Sequence, residues 1–197
     1  MLNEKGYRFL EYAQGVTMLT ESIKVDFSES EEISGTLKIA MADSLCSAFM
    51  GQYLSVYRKM YPMVNVHIKT GVSGDMYNWL THNEVDMIYT LDERISRSDF
   101  VVMQEDEEPV VFCVRDNHPI LNKKHIKWED INEYPLYLTE EGISYRNVLD
   151  RNLENMGKSC VPAVEIGDTE IILELVEKTD GIGFLPRFAF KHMKNRV

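Results

Sequence analysis

The sequence predicts an α/β fold divided into two lobes, and three observations carry that reading. Strand-like and helix-like stretches alternate from residue 34 to residue 90, the same alternation resumes after an acidic run at residues 105–108, and a long helical seam precedes both. Parallel strands need a crossover between them, and a helix supplies it, so this order points to open, mostly parallel sheets. In such sheets ligands sit where strand C-termini meet helix N-termini.

Taken in order, residues 2–27 read as one helix. Leu2, Gly6, Phe9, Ala13, Val16, Thr20, Ile23 and Phe27 recur at alternating steps of four and three, a heptad stripe that Tyr12 and Leu19 widen. A polar, acidic stretch from Asp26 to Gly35 follows and separates this helix from the rest. Residues 1–34 are thus expected to form a linker helix and flexible connection. Leu37, Ile39 and Met41 alternate as a strand over residues 36–42, and a helix opening at Asp43 and Ser44 runs until Pro62. Val64, Val66 and Ile68 alternate next. The sequence Gly71, Val72, Ser73, Gly74 turns into a short helix, and residues 85–90 close the first lobe's strands. That lobe is expected to span residues 35–106.

The second lobe, residues 107–197, repeats the logic. Pro109 leads into a strand over residues 110–114, residues 115–119 turn, and Trp128 to Ile131 makes a short helix. Residues 135–138 read as a buried strand, 139–143 as a loop, and 144–156 as a helix ended by Gly157. A strand over residues 161–166 precedes a helix capped by Asp168, with Ile171, Ile172, Leu175 and Val176 on one face. Residues 182–185 form a last buried strand, and Pro186 is expected to start a final helix.

Composition narrows the function. With 21 basic and 32 acidic residues the net charge is 21 − 32 = −11, which repels phosphate backbones and argues against direct nucleic-acid binding. No stretch of eighteen apolar residues and no basic-then-apolar leader pattern is present, so a cytoplasmic protein without membrane partners is expected. The three cysteines, Cys46, Cys113 and Cys160, suit free thiols in a reducing compartment. No metal or cofactor is expected, because the five histidines show no ligand spacing. Gly71 to Gly74 lacks the lysine of a P-loop, and no nucleophile elbow occurs, so the chain does not read as an enzyme. Asp116, His118 and His125 read as plain surface.

These elements together resemble the effector-binding domain of LysR-type transcriptional regulators. The resemblance rests on Leu2 through Ala13, similar to that family's linker helix, and on Gly35 to Ile39, similar to the opening strand of its regulatory domain. It rests further on Tyr61 and Pro62; on Gly71 through Asp86, where Asn83 stands in place of the glycine of a Gly-x-x-Asp ending; on His118, Pro119 and Ile120; and on Gly181 through Pro186. It implies a two-lobed, periplasmic-binding-protein-like (type 2) fold that binds a small polar or anionic metabolite between its lobes and self-associates as a homodimer or homotetramer. The helix around Tyr53 to Met60 and the strand over residues 64–69 would meet a neighbouring copy. The family's winged helix-turn-helix would precede Met1 and a return segment would follow Val197, so the chain is expected to be part of a longer regulator that meets DNA only through that other domain. The alternative is a free-standing solute-binding protein of the same fold.

Candidate ligand contacts follow from helix N-termini, whose unpaired N–H groups and partial positive charge favour an anion. Four strand-to-helix junctions qualify: Asp43 with Ser44; Val72, Ser73 and Gly74; Gly142, Ile143 and Ser144; and Asp168 with Thr169. Ser44, Ser73 and Ser144 are expected to cap their helices and touch ligand, while Asp168 is expected to cap alone. Arg146 reaches a carboxylate or serves as a surface or inter-lobe ion-pair partner. Carboxylates at Asp43, Glu140 or Asp168 oppose a purely anionic effector and leave room for a zwitterionic or polar one. Cys46, one turn into its helix, reads as a small buried residue.

Overall fold

The computed structural model describes residues 33–93 and 99–190 together with Gly6, Phe9 and Ala13. Those three are helical, with Phe9 exposed; the remainder of the expected linker helix and its polar connection lies outside the described residues. By contacts the chain forms two compact units. One takes the described residues through Met41 together with Met50–Tyr89, and the other takes Ala42–Phe49 and the described residues from Thr90 onward.

The first unit is built on three parallel strands in the order β2-β1-β3: β1 Gly35–Met41, β2 Val64–Thr70 and β3 Met87–Tyr89. β1 lies beside β2 along its whole length, from Gly35 opposite Val64 to Met41 opposite Thr70. The expected helix after β1 arrives in three pieces: α1 (Asp43–Leu45), a π-helical turn (Cys46–Met50), and α2 (Gly51–Met60). Nothing in the residue types of that turn signals its extra residue. α3 (Ser73–Thr81) buries Met76 against Ala40 and Val85, with Trp79, Leu80 and Ile88 around them. Its end explains the asparagine in the Gly-x-x-Asp position. Asn83 holds φ +55°, the left-handed conformation that asparagine tolerates better than most side chains. The Glu84 N–H then donates to Trp79 O and the Asn83 N–H to Leu80 O, closing the helix. Three residues on, Asp86 accepts the Lys38 backbone N–H at 2.7 Å and donates its own to Lys38 O at 2.8 Å, fixing β1 against the start of β3.

The second unit carries four strands in the order β4-β7-β5-β6: β4 Val110–Cys113, β5 Leu136–Leu138, β6 Val164–Glu165 and β7 Ile182–Pro186. β5 pairs in parallel with both β6 and β7, and β4 runs antiparallel to β7. α4 (Trp128–Ile131) precedes β5, α5 (Ser144–Asn155) joins β5 to β6, and α6 (Thr169–Lys178) joins β6 to β7. Because β6 and β7 lie on opposite sides of β5, the two crossover helices cover opposite faces. Leu136, Leu138 and Ile182 pack with Leu149 and Leu153 of α5, while Tyr137 and Leu185 pack with Ile172, Leu173 and Val176 of α6. A topological switch of this kind opens a crevice at the carboxyl end of the central strand.

Several expectations are corrected here. The strand foreseen over residues 161–166 shrinks to Val164–Glu165, since Pro162 has no N–H to give a ladder and Val161 is exposed. Pro186 ends β7 opposite Val110, and the helix expected after it is a single 3-10 turn over residues 187–190. On α6 the inward face holds Leu173, and Ile171 points outward. His118, read as surface, is buried to 1% exposure. Its Nδ1 accepts the Ile120 N–H at 3.1 Å, its Nε2 meets Asp180 O at 3.0 Å, and its ring stands edge-on to Tyr134 with centroids 4.4 Å apart. Those bonds assign the Nε2 proton as the donor to Asp180, and the imidazole staples the turn before α4 to the loop ahead of β7.

Candidate functional site

The candidate site of the second unit lies where that topology places a crevice, at the turn between β5 and α5 and the turn between β6 and α6. Ile166 donates to Leu138 O at 3.1 Å, so the two strands leave the sheet side by side. After β5 come Thr139, Glu140, Glu141 and Gly142, the last at φ +93°, a conformation that glycine adopts without strain. Gly142 N–H donates to Asn147 Oδ1 at 3.2 Å. The N-cap of α5 is Ile143, whose side chain makes no cap bond to the first-turn N–H groups. The helix is twelve residues long, enough to present a partial positive end.

Thr139 is the residue that sequence reasoning passed over. It is buried to 2% exposure, and its hydroxyl finds no hydrogen-bond partner. A buried hydroxyl left unpaired costs about 1–3 kcal/mol. Tyr145 is a polar neighbour; burial pushes its pKa up to about 12, and Thr139 pulls it part of the way back, yet the two hydroxyls fall short of hydrogen-bond geometry. Thr139 is held against the first turn of α5 through its carbonyl, which accepts from Arg146 Nη1 at 2.6 Å. The only sequence signal was a threonine directly after an apolar strand and just ahead of a glycine turn.

Arg146 is buried rather than on the surface, and its ion-pair partners among the described residues are Asp150 and Glu165. It is 4% exposed and fully engaged within its own unit: Nε bonds Asp150 Oδ2 at 2.8 Å, and Nη1 also meets Glu165 Oε2 at 3.2 Å. Burial alone would lower its pKa, but Asp150 and then Glu165 raise it, so the guanidinium stays charged. Its charge is therefore already balanced, and its geometry holds the Thr139 carbonyl, α5 and β6 together.

The serines did not become caps. The N-caps of α1, α3 and α5 are Ala42, Val72 and Ile143, none with a side-chain cap bond, and Ser44, Ser73 and Ser144 sit inside the first turns. Ser144 uses its hydroxyl to donate to Leu91 O, docking the segment after β3 onto α5, where Arg151 also meets Glu93 at 2.7 Å. Asp168 does cap as expected, accepting the Glu170 N–H at 2.9 Å and the Ile171 N–H at 3.4 Å, so its own carboxylate fills the N-terminus that Thr169 begins. Asp43 and Ser44 group with the second unit; Val72, Ser73 and Gly74 belong to the first. Of the junctions, the one at Gly142, Ile143 and Ser144 combines a long helix without a side-chain cap and a buried unpaired hydroxyl.

The environment of each of the three thiols raises its pKa. Burial first, and Asp43 second, raise the Cys46 pKa, opposing the helix-end effect expected there. Burial pushes Cys113 up to about 12, and Cys160, 3.8 Å from Asp150 Oδ1, is raised by burial and by that carboxylate. A shallow groove of about 290 Å³ lies elsewhere, in the first unit, lined by Leu54, Arg58, Asn65, Val66 and His67. Arg58 there is committed to the carbonyls of Pro62 and Val64, and a different side of α2 exposes Tyr53, Val56 and Met60, with Met63 also exposed. Among the described residues no cluster of three or more His, Cys, Asp and Glu side chains is placed to hold a metal, and no helix is long and apolar enough to cross a membrane.

The LysR substrate binding domain family matches residues 30–196. The chain belongs to that family. Among its relatives are the HTH-type transcriptional regulators YwqM (described as uncharacterized) and GltR of Bacillus subtilis. YwqM is 28% identical over 97% of this chain and 65% of its own length, and GltR 24% identical over 94% and 61%. This LysR-family chain thus spans under two thirds of the length of either relative. Among solved structures, a full-length OxyR variant from Pseudomonas aeruginosa shares its fold with a TM-score of 0.73 at 19% identity, covering 96% of this chain and 61% of that one. The CcmR regulatory domain of Synechocystis, solved with 2-PG, has a TM-score of 0.68 at 20% identity, covering 80% and 75%. The type 2 periplasmic-binding-protein-like fold expected from the sequence is shown by these neighbours.

Proposed function

We propose that this chain is the effector-sensing and oligomerisation part of a LysR-type transcriptional regulator, and that it binds a small polar or anionic metabolite. The observation that carries the reading is the junction after β5, where the first turn of α5 has no side-chain cap and the buried Thr139 hydroxyl beside it lacks a partner. A ligand oxygen accepting from these groups would satisfy both. Of Gly142, Ile143 and Ser144, the Ser144 N–H would hold the anionic group, since Gly142 already donates to Asn147 Oδ1 and Ile143 to Glu140 O, with Arg146 positioning the loop from behind. Asp43, Ser44 and Thr169 would be secondary contacts within the same unit, and Val72, Ser73 and Gly74 a separate candidate contact in the first unit. Regulation would then work by population shift: a bound metabolite would favour one arrangement of the domain over another. The exposed apolar face of α2, with β2 beside it, would pair with a second copy in a homodimer or homotetramer. DNA would be met by another domain of the regulator, since this chain's −11 charge repels it. A cytoplasmic, non-enzymatic role fits its regulator relatives.

Calorimetric titration of this chain with small carboxylates, phosphates and amino acids tests the proposal. 2-PG and shikimate belong in the panel because CcmR and QuiR were solved with them. A ligand at about 100 times its Kd adds roughly 2.7 kcal/mol to stability, and Thr139→Val is expected to weaken binding about tenfold. Binding that Thr139→Val leaves untouched, or a cooperatively folded chain that binds nothing, contradicts it.

A further inference from the structure

The charge around the α5 N-terminus narrows the class of effector, an inference that rests on the site proposed above. A carboxylate or phosphate at the first turn of α5 meets favourable N–H groups, but the walls of the crevice are acidic. Glu140 and Glu141 stand in the turn itself and are exposed. The Glu140 carboxylate lies over the facing turn between β6 and α6: a methyl group built on Gly167 would meet its carboxyl carbon at 3.5 Å and both oxygens at 3.6 Å. Asp168 follows Gly167, although its charge is absorbed by the N–H groups it caps. The cation in this part of the unit, Arg146, is already balanced by Asp150 and Glu165. No Lys or Arg pairs with Glu140 or Glu141 among the described residues.

A purely anionic ligand would gain the helix end and the Thr139 hydroxyl while lying against an uncompensated carboxylate. A purely cationic one would gain Glu140 and be opposed by the helix end. We infer that the effector carries both charges on neighbouring atoms, an α-amino acid or a close relative. Its carboxylate takes the α5 N–H groups and the Thr139 hydroxyl, and its ammonium group takes Glu140. Thr139 is the observation independent of charge, because a hydroxyl buried to 2% exposure without a partner marks a position that a ligand atom completes.

The test is a thermal-shift and calorimetric comparison, on this chain, of L-α-amino acids with their des-amino carboxylates and their decarboxylated amines. L-alanine is set against propionate and ethylamine, and L-glutamate against glutarate and 4-aminobutyrate. At least one L-α-amino acid is expected to raise Tm while its des-amino and decarboxylated partners do not. Glu140→Gln should cut that affinity at least about tenfold, the loss expected for one charge-assisted hydrogen bond, with the ligand-free Tm unchanged because Glu140 is exposed. Glu140→Ala keeps the test open if the glutamine variant folds poorly. If des-amino carboxylates bind as tightly as the amino acids, or Glu140→Gln tightens them, the zwitterion class falls while metabolite sensing stands. If no L-α-amino acid shifts Tm but another metabolite in the wider panel does, the class likewise falls and the site does not.

Discussion

The two units share one strand order and spend their apolar residues differently. In each, the chain lays down a central strand, crosses to one neighbour, and crosses back to the other side: β1, β2, β3 in the first unit and β5, β6, β7 in the second. The second unit closes both faces on itself. α5 buries Tyr145, Leu149 and Leu153, α6 buries Ile172, Leu173 and Val176, and β5 is buried throughout. The first unit closes one face with α3, whereas α2 buries no residue and shows Tyr53, Val56 and Met60 to solvent. Shared topology therefore does not dictate shared packing. One unit is stabilised by its own core, and the other keeps an apolar surface of the kind that marks a partner.

Core truncation separates the two most strongly. Leu138→Ala or Ile172→Ala, each at 0% exposure, should cost about 2–5 kcal/mol of unfolding free energy in urea. Met60→Ser on α2 should stay within about 0.5 kcal/mol at a surface position while weakening self-association measured by sedimentation. Equal losses at both places would erase the distinction.

Helix caps give a smaller contrast of the same kind. Asp168→Ala should cost about 1 kcal/mol, because two N–H groups lose their acceptor. Val72→Ala, at an N-cap whose side chain makes no cap bond, should fall well short of that loss.

At neutral pH the smallest difference is expected from the thiols. Cys113 has its folded pKa raised from 9.0 to about 12 by burial. The folded state then holds a proton that the unfolded state gives up, so stability is fully present below pH 9 and falls as pH rises toward 12. Cys113→Ala should flatten that alkaline decline in urea midpoints without steepening it.

How much of this was legible depends on how far apart the interacting residues lie. Alternation at Val64, Val66 and Ile68, the stop at Gly157, and the cap at Asp168 are local signals, and each matched its element. Gly157 indeed holds φ +66°. His118 looked like surface because the groups that bury it are distant in sequence: its partner Asp180 is 62 residues away. Arg146 was misplaced for the same reason, with Glu165 19 residues on. The serines misled because a serine at a predicted helix start resembles a cap, and only backbone dihedrals show that Val72 or Ile143 holds that position. Thr139 was hidden because an unpaired hydroxyl is a property of packing.

Amide hydrogen exchange on this chain, with and without a metabolite that raises its Tm, tests the central claim most directly. Slowed exchange concentrated in residues 140–147, at the start of α5, is the predicted result. Protection confined to the α2 and β2 groove of the first unit, with the α5 N-terminus unchanged, would contradict it.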